Sequence, residues 1–142
     1  MPPTLRDRPP NIVKDGRTVN AMVRIYCHDR HGTHGATLCR ACTSLTAYAD
    51  ARLARCPFGA AKTTCRECPI HCYRPAERAA MKDVMRRAGP KMLWRHPFLT
   101  IRHVWLERQG PPSYTGPRQR LGDQPCPPES LRASSRLEFP PR

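Results

Sequence analysis

The sequence is short of acidic side chains: 11 aspartates and glutamates stand against 25 lysines and arginines in 142 residues, a formal charge of +14 with a pI near 10.2. The few acids are scattered, so no carboxylate pair is placed for acid–base work. No Ser/His/Asp set can be assembled, and the 8 glycines form no phosphate-cradling loop. Enzymatic activity is therefore the weaker class of function. No apolar run approaches the ~18 residues of a membrane span, and the start, Met1-Pro-Pro-Thr-Leu-Arg-Asp-Arg8, has no signal-peptide core. The expectation is a cytoplasmic protein without a membrane span. Its charge suits a nucleic acid, a ribosome or an acidic protein as partner, and sets the partner's sign rather than its identity.

Large apolar side chains are also scarce where they would matter most. Between Cys27 and Cys72, Leu38, Leu45, Tyr48, Leu53, Phe58 and Ile70 are nearly all there is. Such a segment cannot order itself by burial alone. What it has instead is sulfur: seven of the chain's eight cysteines and four of its six histidines. Cys39-x2-Cys42 and Cys65-x2-Cys68 have the spacing at which a tight turn presents two sulfurs to one ion, and Cys72 follows the second pair after three residues. In a reducing compartment, clustered thiols are metal ligands or redox groups rather than a disulfide framework. Reversible disulfides fit poorly, because low-pKa redox cysteines do not come seven together.

Proline marks the edges. Twelve of the 17 prolines fall in residues 1–10 and 111–142, which read as disordered tails, and Cys126 in the second of them reads as a stray thiol. The ordered part is expected to be one helical domain, residues 11–110. From about Thr18, Val19, Met22, Val23 and Tyr26 line one helical face, which delivers Cys27 at its end with His31 four residues on. Between Cys42 and Cys56 there is no Gly or Pro, and Leu45, Ala49 and Leu53 form a stripe. If that helix is continuous, Cys42 and Cys56 lie about 20 Å apart along its axis and cannot share an ion. This groups the ligands as Cys27, His31, Cys39 and Cys42 in a first site, and Cys56, Cys65, Cys68 and Cys72 in a second. His34 is the other candidate for the first site. His28 reads as a solvated loop residue, and His71 as a replacement ligand or hydrogen-bonding neighbour at the second. One histidine with three thiolates suits structural zinc; four thiolates suit zinc or a 4Fe–4S cluster equally.

A third helix starts at Pro75, buries Met81, Val84, Met85 and Ala88, and is expected to stop at Gly89-Pro90. A last one begins near His96-Pro97, with Phe98, Ile101 and Trp105 on one side. Trp94 and Trp105 read as core. Residues 74–108 carry nine basic and three acidic side chains, so few of these charges find local partners. Arg78, Lys82 and Arg86, spaced by four, form a basic stripe, with Arg74, Arg95 and Arg102 nearby, that could track a phosphate backbone.

The run Cys56-Pro-Phe-Gly, Lys62-Thr-Thr-Cys65, Cys68-Pro-Ile-His-Cys72-Tyr, then Met81, Val84-Met-Arg, Ala88-Gly-Pro and Trp94-Arg-His-Pro resembles the nitrous oxide-stimulated promoter family of small bacterial proteins. The resemblance reaches upstream to Ile25-Tyr-Cys27 and Leu38-Cys39, covering about residues 17–108. It implies a link to nitrosative stress and supplies no reaction. Because nitric oxide attacks iron–sulfur clusters, that link tilts the second site toward iron.

The expected fold is thus mainly α, a small metal-stapled helical domain with two cysteine-rich knuckles (residues 27–72), basic helices (75–108) and disordered Pro-rich termini. The expected function is that of a metal- or iron–sulfur-binding accessory protein in the bacterial nitric oxide response. The alternative is a zinc-stapled nucleic-acid or ribosome binding module using the basic helix 75–88.

Overall fold

In a computed structural model, which describes residues 4–111 apart from residues 67, 69 and 71, the chain is all-helical; no strand occurs among the described residues. Helix α1 spans Pro10–His31, α2 Arg40–Ala54, α3 Pro75–Arg95 and α4 Pro97–Glu107. Short 3-10 turns lie at Leu5–Asp7 and Gly59–Ala61. None of these helices is long and apolar enough to cross a membrane. The C-terminal tail expected from Pro111 onward, with Cys126, lies outside the described residues beyond residue 111.

Helix α1 begins eight residues earlier than its clearest stripe suggests. Pro10 occupies a position where its missing N–H is not needed, and Ile12 and Gly16 extend the buried face N-terminally. Gly16 is small for a reason: a Cβ there would stand 2.5 Å from Leu5 Cδ2. The turn at Leu5–Asp7 thus lies against the helix, closed by Thr4 donating through N and Oγ1 to Asp7 Oδ2 at 3.3 and 2.5 Å. Arg8 Nη2 donates to the Cys56 carbonyl at 2.7 Å, and Asn11 Nδ2 to those of Gly59 and Ala60 at 3.1 Å. The first ten residues, which composition marks as a disordered tail, are therefore tied down from Thr4 onward. The cause is local hydrogen bonding, which a proline count does not register.

The core is thin. Val23, Tyr26 and Cys27 of α1 pack with Leu45 and Ala49 of α2 and Met81, Val84 and Ala88 of α3. Each large side chain there contributes about 1.5–3 kcal/mol on burial. Among the described residues, the largest that are wholly enclosed are Ile12, Val23, Val84 and Cys27. Tyr26 Oη donates to Asp83 Oδ2 at 2.8 Å, and Lys91 pairs with Asp29, so α1 and α3 are also clamped by polar contacts at the core's rim.

Two expectations for the C-terminal half change. Helix α3 does not stop at Gly89-Pro90 but runs on to Arg95 with Pro90 inside it. Continuing places Met92 in the core at 3 % exposure, whereas the carbonyl that Pro90 cannot serve belongs to exposed Arg86. Pro90→Ala is accordingly expected to raise stability, by up to about 3 kcal/mol, in thermal unfolding. The second change concerns the tryptophans. Neither is core: Trp94 is 85 % and Trp105 61 % exposed. In α4, Leu99, Arg102 and Leu106 are spaced by three and four and so are Phe98, Ile101 and Trp105. The first stripe is the one turned to the protein, because Arg102 donates to Asp15 Oδ1 at 2.7 Å and to the Asn11 carbonyl at 3.2 Å.

Candidate metal centre

The last turn of α1 and the first turn of α2 meet around four side chains. Cys27 and His31 are four residues apart, one helical turn, so both project from the same face of α1. Gly32 ends that helix in the left-handed region, φ 64°, and turns the chain back. His28 closes the turn, its Nε2 lying 3.0 Å from the Gly35 carbonyl. Cys39 caps α2, its sulfur accepting the Cys42 N–H at 3.4 Å, which sets both thiols of the Cys-x2-Cys pair at the positive end of a helix.

The ligand atoms of Cys27, His31, Cys39 and Cys42 all lie within 4.8 Å of one another. His31 Nδ1 is 3.1 Å from Cys39 Sγ and 3.5 Å from Cys42 Sγ. A tetrahedral zinc with bonds near 2.3 Å to sulfur holds its ligand atoms about 3.8 Å apart, so the donor set fits such an ion. Cys27 Sγ accepts from Thr33 Oγ1 at 3.1 Å and from the Cys39 N–H at 3.3 Å. Burial works against its ionisation, but these donors and His31 outweigh it and bring the thiol down to about 7. Cys42 is pushed upward, by burial first and by the Cys39 and Cys27 sulfurs next. Thiols whose charges resist one another in this way invite a cation between them. Thr33, which nothing in the spacing of cysteines points to, is a further residue of the site. A hydroxyl within the ligand loop is the only signal it left.

The second set is gathered less tightly. Cys56 follows α2, Cys65 and Cys68 share a turn in which the Cys68 N–H meets the Cys65 carbonyl at 3.4 Å, and Cys72 precedes α3. Burial raises Cys56 and Cys65, and Cys72 to about 12; the charges of the other cysteines of the set add to each rise. Among the described residues, the first set alone brings three or more ligand atoms within 4.8 Å of one another. His71 lies outside the described residues. Beside this loop Lys62 is buried, with its side chain 5 % exposed, its ammonium paired with Asp15 and donating to the Thr63 carbonyl at 3.2 Å. Burial opposes its charge, yet Cys65 and Asp15 more than compensate and its pKa is raised. A lysine three residues before a cysteine carries no metal-spacing signal, which is why sequence reasoning passes over it.

A model of the family described as "Nitrous oxide-stimulated promoter" matches residues 10–116. The chain belongs to this family. Both cysteine sets, the buried lysine and all four helices fall inside the matched span. The chain is also similar to the uncharacterized protein YgbA of Escherichia coli strain K12, 57 % identical over 61 residues, which is 43 % of this chain and 52 % of that one. The chain thus spans about half the length of this curated relative. No solved structure matches.

The basic residues of α3 and α4 separate into engaged and unengaged ones. Arg102 is held by Asp15, and Arg74 lies over the Tyr48 ring, 5.6 Å from its centroid. Arg78, Lys82, Arg86 and Arg95 are exposed and form no ion pair among the described residues.

Proposed function

We propose that the chain is a metal-binding accessory protein of the bacterial response to nitric oxide, its folding unit reaching from the turn at Leu5–Asp7 to about residue 110. The observation that carries this reading is the convergence of Cys27, His31, Cys39 and Cys42 on one point between α1 and α2. Zinc held there joins two helices whose shared core is too thin to hold them firmly alone. The second set, Cys56, Cys65, Cys68 and Cys72, holds a 4Fe–4S cluster or a second zinc. In support, the set offers four free thiols, and Cys65 and Cys56 favour the charge of the buried Lys62 ammonium at the edge of this loop. The family's name describes how a promoter responds, and a thiolate-bound iron cluster is the kind of group on which nitric oxide acts. The chain's own residues supply the binding and the surrounding charge, and no reaction beyond that is assigned to them.

Metal and acid-labile sulfide analysis of protein purified without oxygen tests the reading. About four iron and one zinc per chain, with visible absorption that changes on nitric oxide titration, is the result expected of a responsive second site. About two zinc and no colour makes both sites structural, and protein with no bound metal overturns the proposal.

A further inference from the structure

Helix α4 is the most apolar of the four, yet Leu106 is its one buried residue. Leu93 and Trp94 at the end of α3 join Phe98, Ile101, Val104 and Trp105 in an exposed face, with Phe98 87 % and Trp94 85 % exposed. No acidic residue interrupts the stretch from Leu93 to Leu106. The cations around it follow a pattern. Three of them are paired: Arg87 with Asp83, Lys91 with Asp29, Arg102 with Asp15. Arg78, Lys82, Arg86 and Arg95 have no ion pair among the described residues and are exposed.

The first three stand about 6 Å apart along α3, and Trp94 follows about 12 Å beyond Arg86. Exposed cations that wind along a helix ending in exposed rings match a polyanion with accessible bases. A duplex hides the base faces that Trp94, Phe98 and Trp105 could stack on, and an anionic bilayer would call for cations ringing the apolar patch rather than trailing away from it. A second copy of a chain of charge +14 brings like charges together. We propose that this face binds single-stranded nucleic acid, with the backbone along Arg78, Lys82 and Arg86 and bases stacked on Trp94, Phe98 and Trp105.

Both tryptophans of the chain lie in the face, so their fluorescence reports on it directly. Oligothymidylate and oligouridylate added to the full-length, metal-containing protein are expected to quench it saturably, with affinity falling steeply as salt rises. Trp94→Ala and Trp105→Ala are each expected to weaken binding about tenfold, and reversal of Arg78, Lys82 and Arg86 to glutamate to flatten the salt dependence. Absence of quenching overturns the proposal. So does equal affinity for a duplex, a response to phosphatidylglycerol vesicles alone, or a dimer that Trp105→Ala dissociates while oligonucleotides do not bind. All these substitutions are at exposed positions, and metal content measured on the same preparations distinguishes failure of the surface from failure of the metal centre.

Discussion

Cys42→Ser protein is expected to lose metal from the first site and, with it, cooperative unfolding of the α1–α2 pair. Cys42 is buried at 3 % exposure in the first turn of α2, one of four ligand atoms within 4.8 Å. A structural zinc site supplies on the order of 10 kcal/mol of apparent binding free energy at neutral pH, comparable to the whole stability of a small domain. The core cannot compensate, because few of its large side chains are fully enclosed. His31→Ala should act in the same direction, whereas His34→Ala should retain the metal, since His34 is exposed and its ring lies against His28 instead. Zinc content and far-ultraviolet circular dichroism on the three proteins decide the matter. A Cys42→Ser protein with unchanged zinc and unchanged melting would remove the first site from the account.

Asp15→Ala carries the second large effect, an expected loss of about 3–5 kcal/mol. Asp15 stands between two cations, Lys62 from the loop before Cys65 and Arg102 from α4, with side-chain exposures of 5 % and 21 %. Removing the carboxylate leaves the Lys62 ammonium enclosed without its countercharge, and releases α4 from α1 at the same time. Lys62→Met makes a contrast: Asp15 keeps Arg102, the loop keeps an apolar chain of similar length, and the loss should be much smaller. Urea unfolding in saturating zinc measures both without letting metal occupancy vary. Equal midpoints for wild type and Asp15→Ala would mean that the pairing contributes nothing.

Much of the architecture is written in local pattern. The stripes Val19–Met22–Val23–Tyr26, Leu45–Ala49–Leu53 and Met81–Val84–Ala88 each repeat at helical spacing and each turns inward in the structure, with Val19 only partly buried. The uninterrupted helix between Cys42 and Cys56 follows from the absence of Gly and Pro there, and its length is what keeps those two cysteines apart. His31 in preference to His34 was also readable, because four residues return to the same helical face whereas Gly32 breaks the register before His34. Other features were not open to pattern. Pro90 looks like a stop and is tolerated because burying Met92 outweighs one missing hydrogen bond. Thr4 and Arg8 look like tail and are fixed, the one by a turn a few residues long and the other by a partner about fifty residues away.

Composition and spacing sufficed to establish a helical chain of strong positive charge with a Cys/His cluster that could hold a metal ion, since helix periodicity and metal-ligand spacing are properties of neighbours along the chain. The choice between the two apolar stripes of α4, the burial of Lys62 beside Cys65, and the exposure of both tryptophans came from packing. Each depends on which distant side chain, Asp15 above all, stands opposite, and contacts between residues far apart in sequence leave no periodic trace in it.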